Sequence, residues 1–379
     1  MIMKSQIRMV DLKGQYDKIK DEINKAIQDV LNSSAYIKGP DVNIFCDNLQ
    51  NYLGVGHVIS CANGTDALQV AMMALDLQPG DEVITTPFTF ISTVEVIKLL
   101  KLKPVFVDIE PDSYNIDADK IEEAITAKTR AIVPVHLFGQ CADMNKILEI
   151  SEKHGLFIIE DTAQALGTDF YHNDGSTSKA GTLGHIGTTS FFPSKNLGAY
   201  GDGGALFTAD EVIAEKLAAI VNHGMKRRYY YDYVGVNSRL DTIQAAILNV
   251  KLKYFGEYNR ARQIAAAYYD DHLRENKHFS VPFRTKYSNH IFHQYTLKIN
   301  DNRRDELKLF LQEKGIPSMV YYPVGIHLQE AYSNLGYSRG DFPVTEDVCK
   351  KVLSIPIHTE LKKKHQDRVT RKILEFFNK

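Results

Sequence analysis

Tryptophan is absent from the 379-residue chain, and cysteine occurs only four times, at Cys46, Cys61, Cys141 and Cys349. No two of these form a CxxC pair. Neither a disulfide framework nor a zinc or other metal site is expected, and the thiols read as the reduced cysteines of a cytoplasmic protein. No charge of one sign predominates: 45 Lys and Arg stand against 47 Asp and Glu, a formal net charge of −2. A nucleic-acid binder would carry a basic stripe, whereas runs such as Lys362-Lys363-Lys364 read as a solvated helix face. No apolar run approaches the ~18 residues of a membrane span. The amino terminus lacks the basic segment, apolar stretch and small-residue cleavage site of a secretion signal. Repeats and low-complexity tracts are missing too. What is present is a chain long enough for a large core and two or three domains, with 20 Tyr and 18 Phe for aromatic packing.

Apolar spacing predicts a helix over Asp11–Leu31, through Ile19, Ile23, Ile27, Val30 and Leu31. Strands and helices then alternate. Strands are expected at Val58–Ser60, Val83–Thr86, Val105–Asp108, Ala131–Val135 and Leu156–Ile159, and helices at Gly64–Leu75, Thr93–Leu100 and around Lys146–Leu148. Apolar runs without alternation indicate strands covered on both faces, hence an α/β fold around a mostly parallel sheet. Two further strands, Thr188–Phe192 and Ala205–Phe207, flank a Gly-rich stretch. One long helical pattern runs from Leu240 to His272. A domain boundary near residue 250 divides a large domain (1–250) from a smaller α+β domain (251–379). The smaller one is expected to contain strands at Gln294–Ile299 and Ser318–Tyr321 and helices at Arg304–Lys314 and Gln366–Phe376.

Three stretches carry chemistry. Glu160-Asp161-Thr162-Ala163-Gln164 closes an apolar strand, the end at which open α/β sheets bind ligands; an acid there also suits a helix N-cap. Ser190-Phe191-Phe192-Pro193-Ser194-Lys195 leads from a strand into the Gly198–Gly204 region. Asn63-Gly64-Thr65-Asp66 is a strand–turn–helix junction, whose free N–H groups and helix dipole favour a phosphate, or simply an ordinary capped helix.

Together these stretches resemble the DegT/DnrJ/EryC1/StrS family of sugar aminotransferases, which depend on pyridoxal 5′-phosphate (PLP). The resemblance runs from Val10-Asp11-Leu12 through Gly64–Leu68, Thr86–Phe90, Asp161–Gln164, Ser190–Lys195, Gly201–Gly204, Asn237–Asp241 and Gln244–Ala246 to Leu353–Pro356. It implies PLP fold type I, the aspartate-aminotransferase type, with a seven-stranded sheet and a homodimer whose active sites are shared between subunits. Lys195 stands where the family holds the cofactor covalently, and Asp161 where a carboxylate pairs with the pyridine nitrogen. Gln164 corresponds to the residue near the phenolic oxygen, and Phe90 to an aromatic over the ring face, with a buried core role as its alternative. Gly64, Thr65 and Ser190 would meet the phosphate, and Asn237 would reach it from the other subunit. His136 and Gly139 would line the sugar pocket, with a core histidine as the alternative reading of His136. Tyr321, Tyr322 and His327 would contact sugar or nucleotide. Family dehydratases carry histidine where Lys195 stands, so transamination is implied. Asn237–Asp241 and Pro193–Gly204 look most like enzymes that aminate C3 of a dTDP-linked 3-keto-6-deoxyhexose with L-glutamate as donor. The product would be a 3-amino-3,6-dideoxy sugar for a surface polysaccharide such as O-antigen or for a natural product. A 4-keto-6-deoxyhexose or a UDP-linked 3-keto uronic acid is the alternative acceptor.

Two other classes compete. One is a binding or regulatory protein that keeps the fold without turnover, against which Lys195, Asp161 and Gln164 all speak. The other is a dinucleotide-dependent oxidoreductase. Against it, Gly54-Val55-Gly56 precedes its strand, and the Gly198–Gly204 stretch leads into a strand instead of opening a helix.

Overall fold

The computed structural model describes residues 6–378. Its first half alternates in the order helices α1 (Leu12–Ser33) and α2 (Pro40–Leu53), strand β1 (His57–Cys61), α3 (Gly64–Ala74), β2 (Glu82–Thr85), α4 (Ser92–Leu99), β3 (Lys103–Phe106), β4 (Thr129–Ile132), α5 (Met144–His154) and β5 (Phe157–Asp161). A hairpin, β6 (Asp169–Tyr171) and β7 (Thr177–Lys179), precedes β8 (Ile186–Ser190), β9 (Gly204–Thr208) and α6 (Glu211–Ile220). Side-chain caps start several of these helices: Asp11, Asn63, Asp143 and Asp210 each accept an N–H from the first turn, which satisfies donors that have no partner within the helix.

Seven strands form one sheet in the order β1-β9-β8-β5-β4-β2-β3. Only β9 runs against its neighbours, so the sheet is mainly parallel. Successive apolar residues point to opposite faces, as the pleat requires. Val83, Ala131, Ile159 and Leu206 pack with α3, α4 and α6. Ile84, Ile132 and Ile158 pack with α5, and Phe207 with α2 and with Ala245 and Leu248 of a later helix. Covering on both faces explains the unbroken apolar runs.

After a small hairpin, β10 (Met225–Arg227) and β11 (Tyr230–Tyr231), come α7 (Thr242–Lys253) and α8 (Phe255–Leu273). The single helix expected from Leu240 to His272 is thus two, separated at Tyr254, where ψ opens to 0°. The remaining elements are β12 (Phe279–Ser280), β13 (Tyr295–Ile299), α9 (Arg304–Glu313), α10 (Pro343–Lys351), β14 (Val352–Ile355) and α11 (Lys363–Phe377). β12, β13 and β14 make an antiparallel sheet that shares a second core with α8, α9 and α11. The strand expected at Ser318–Tyr321 is reduced to one bridge, between Met319 and Ser354. Beyond that pair the chain leaves the sheet edge, and Tyr321 and Tyr322 turn to a cavity wall. No helix among the described residues is long and apolar enough to cross a membrane.

Candidate active site

β1, β8, β5, β4 and β2 all run in one direction, so their carboxyl ends share an edge of the sheet. A cavity of about 930 Å³ opens there, walled by the chain that leaves β1, β2, β5 and β8 and closed by residues 293–294 and 321–329.

At the floor, β5 ends on Asp161, which is buried. The hydroxyl of Thr93 donates to its Oδ2 at 2.9 Å and the Ala163 N–H to its Oδ1 at 3.1 Å, so the carboxylate is held from both sides. Lys195 follows β8 through a turn closed by its own N–H to the Phe192 carbonyl, 2.8 Å. The side chain keeps some surface because it faces the cavity, yet protein surrounds its amine. This desolvation pulls the amine from the ordinary lysine range to about 8, and the Asp161 carboxylate only partly opposes it. Gln164 is clamped at both ends of its amide: Oε1 accepts the Phe138 N–H at 2.9 Å and Nε2 donates to the Tyr322 hydroxyl at 3.1 Å.

The start of α3 forms another wall. Asn63 accepts the Asp66 N–H at 2.8 Å, leaving the N–H groups of Gly64 and Thr65 at the positive end of the helix. A Cβ at position 64 would lie 2.6 Å from Cβ of Ser190, so only glycine lets the helix start meet the end of β8. Ser190 lies on the wall and its Oγ accepts the Phe192 N–H at 3.2 Å. Phe90 lies on the wall 56% exposed, which removes the buried-core alternative for this ring.

Other expected residues stand elsewhere. His136 is fully buried and faces away from the cavity: the Ala142 N–H donates to its Nδ1 at 3.1 Å, which places its hydrogen on Nε2, 2.8 Å from Glu160. It is the core histidine of the alternative reading, and as a sugar contact it is corrected. Gly139 does not reach the wall; it lies at φ +107° under the backbone of Phe292 and His293. His327 is buried with Nε2 3.2 Å from Glu346, behind Ile326, which does reach the cavity. Asn237 is exposed and does not line the cavity of its own chain. Tyr321 and Tyr322 are on the wall.

Sequence reasoning missed Thr93 and His293. Thr93 carries no signal beyond a place at a helix start. His293 precedes a strand, where a histidine is unremarkable, and only the folded chain sets it in the cavity wall. All four cysteines are free, and among the described residues no cluster of His, Cys, Asp and Glu could hold a metal ion.

The model of the DegT/DnrJ/EryC1/StrS aminotransferase family matches residues 17–374. A UDP-2-acetamido-2-deoxy-3-oxo-D-glucuronate aminotransferase of Pseudomonas aeruginosa is 44% identical over 355 residues, covering 94% of this chain and 96% of that protein. A dTDP-3-amino-3,6-dideoxy-α-D-galactopyranose transaminase of Aneurinibacillus thermoaerophilus is 38% identical over 363 residues, covering 96% and 97%. The crystal structure of NtdA from Bacillus subtilis, with the cofactor PMP bound, superposes with a TM-score of 0.88 at 31% identity, covering 96% of this chain and 82% of that one.

Proposed function

Because the chain belongs to the DegT/DnrJ/EryC1/StrS aminotransferase family, we propose that it moves an amino group from L-glutamate to C3 of a nucleotide-linked 3-keto hexose. It is an enzyme of the transaminase class, and its cofactor is PLP. When bound, PLP supplies a ring that accepts the electron pair left on carbon as a proton departs.

The observation that carries the reading is the meeting of a desolvated lysine, a buried carboxylate and a helix N-terminus in one cavity. These residues fit PLP. The glycine-only contact between Gly64 and Ser190 leaves a cradle in which the Gly64 and Thr65 N–H groups and the Ser190 hydroxyl can hold a phosphate. Asp161, oriented by Thr93 and Ala163, would keep the ring nitrogen protonated. Gln164 would face the phenolic oxygen, and Phe90 would cover the ring. Lys195, with its amine held near 8, is partly neutral at physiological pH. It can attack a carbonyl, and once released it can carry a proton from donor carbon to cofactor carbon and back. Tyr321 and Tyr322 are the sugar or nucleotide contacts that this reading keeps. Exposed Asn237 would act on a second copy's phosphate, making a homodimer with shared sites.

The runs Asn237–Asp241 and Pro193–Gly204 support a dTDP-linked 3-keto-6-deoxyhexose as acceptor. A UDP-linked 3-keto uronic acid is the second reading, favoured by the higher identity of the Pseudomonas relative, 44% against 38%. Turnover of a panel of keto sugars with glutamate separates them. Amination at C3 of either 3-keto acceptor supports the proposal, the faster one fixing nucleotide and C6 group. Turnover confined to a 4-keto-6-deoxyhexose contradicts it.

A further inference from the structure

Helix α7 buries a lysine away from the cavity. Lys251, near the end of that helix, is 1% exposed. A buried amine costs free energy, and the charge that bears on this one is a second cation, Arg262. Burial first, and then that charge, bring the amine from the ordinary lysine range to about 7. An apolar side chain of similar volume would suit a core at lower cost. What the amine does make is a hydrogen bond, donating to the Gly198 carbonyl. It also lies over the ring of Tyr200, 5.1 Å from the centroid.

Both contacts fall on the turn that carries Lys195. That turn, residues 191–200, is closed on itself. The Lys195 N–H donates to the Phe192 carbonyl at 2.8 Å, and the Ala199 N–H to the Phe191 carbonyl at 2.7 Å. Gly198 packs so closely here that a Cβ would stand 2.9 Å from the Phe192 carbonyl oxygen and 2.4 Å from that of Pro193. The carbonyl that accepts from Lys195 therefore rests against Gly198. Helices α7 and α8 hold the turn at two more points. The Tyr200 N–H donates to Oε1 of Gln244 at 2.8 Å, and Nδ2 of Asn196 to Oδ1 of Asn259 at 2.8 Å. Within the same turn Phe192, Ser194 and Lys195 line the cavity.

We propose that Lys251 is a positioning residue for Lys195: by holding the Gly198 carbonyl it fixes the turn that presents the Lys195 amine to the cofactor. This rests on the reading that Lys195 is the residue that holds PLP. An amine displaced by about 1 Å from its reacting carbon loses rate steeply, so the free energy spent on burying Lys251 is returned as aim.

The test separates cofactor binding from the work of the Lys195 amine. PMP carries an amine where PLP carries an aldehyde and forms no bond with Lys195, so its affinity reports the phosphate and ring contacts alone. Lys251→Met keeps about the same length and removes the donor. Gly198→Ala keeps Lys251, but the added methyl drives the carbonyl away from it. Each variant, and the double variant, is compared with wild type. In Lys251→Met, covalent attachment of PLP to the apoprotein and discharge of the holoenzyme by glutamate are expected to slow at least about tenfold. PMP affinity is expected to stay within about threefold. Gly198→Ala is expected to show the same split, and the double variant to be no slower than the slower single, because both act on one contact. Wild-type attachment rates in Lys251→Met overturn the inference. So do additive slowing in the double variant, and a loss of PMP affinity equal to the loss of rate, which a merely structural role would give. If Lys251→Met does not fold, Gly198→Ala decides: slow attachment with PMP affinity kept supports the inference, and an unchanged rate overturns it. A wild-type protein that binds PMP and attaches no PLP overturns the functional reading, and this inference with it.

Discussion

At the residue scale, the position of Lys195 sets a pH dependence. Its amine lies near 8, below the ordinary lysine range, because burial disfavours the charged form. Only the neutral amine attacks a carbonyl. Attachment of PLP to the apoprotein is therefore expected to speed up as pH rises through about 8 and to level off above it, which stopped-flow absorbance would follow; a midpoint in the ordinary lysine range contradicts this. His136 belongs to a different ledger. Its Nε2–H serves Glu160, whose carboxylate also accepts from the backbone of Gly181, Leu183 and Gly184 at 2.9, 2.7 and 2.6 Å. His136→Leu removes one partner of a buried acid and is expected to cost about 2–3 kcal/mol, read by denaturant melting of the apoprotein. The contrast shows what single residues in a sequence convey. Lys195, Asp161, Gln164 and Ser190 were identified by ordered motifs, and the folded chain places all four on one cavity. Whether a histidine at a strand end faces a ligand or the core depends on partners such as Glu160, 24 residues away, which local pattern cannot supply.

At the element scale, buried strands and the helices between them were legible because Val83-Ile84, Ala131-Ile132-Val133, Phe157-Ile158-Ile159 and Ala205-Leu206-Phe207 are apolar runs in or beside β2, β4, β5 and β9. Helix α2 was not: Val42, Phe45, Leu49 and Leu53 keep helical spacing on its buried side, but Asn43, Asn48, Gln50 and Asn51 dilute the pattern. The stretch 318–321 has strand-forming residues and still makes only one bridge, since Tyr321 turns to the cavity wall and tertiary packing overrides propensity. The junction of β8 and α3 gives the sharpest test at this scale. Gly64→Ala would drive a methyl against Ser190 and displace the N–H groups from the phosphate cradle. PLP affinity is expected to fall about tenfold, the equivalent of one good charge-assisted hydrogen bond, as measured by cofactor titration. Unchanged affinity would remove α3 from the phosphate site.

At the scale of the whole molecule, the cluster on the large sheet and the cluster of β12, β13 and β14 are separate cores; the helix break at Tyr254 lies between them in the chain, and we propose that this break, close to residue 250, divides the large domain from the small one. The cavity draws on both, through Asp161 and Lys195 from one side and His293 and Tyr321 from the other. If Asn237 completes a second copy's site, two crippled variants should rescue each other. Mixed and re-equilibrated Lys195→Ala and Asn237→Ala proteins form heterodimers with one intact site each, so the mixture should recover about a quarter of wild-type activity, by random pairing of a twofold-symmetric dimer. Activity no greater than the sum of the separate variants would show that each chain works with its own asparagine or with none.

In the proposed function one amine, Lys195, holds the cofactor opposite Asp161. Reduction of the PLP-loaded protein with borohydride, followed by peptide mass mapping, tests it most directly. The pyridoxyl group is expected on Lys195 alone, and is expected to be lost when glutamate is added before reduction. A label on another lysine, such as the buried Lys251, or no label at all, would contradict it.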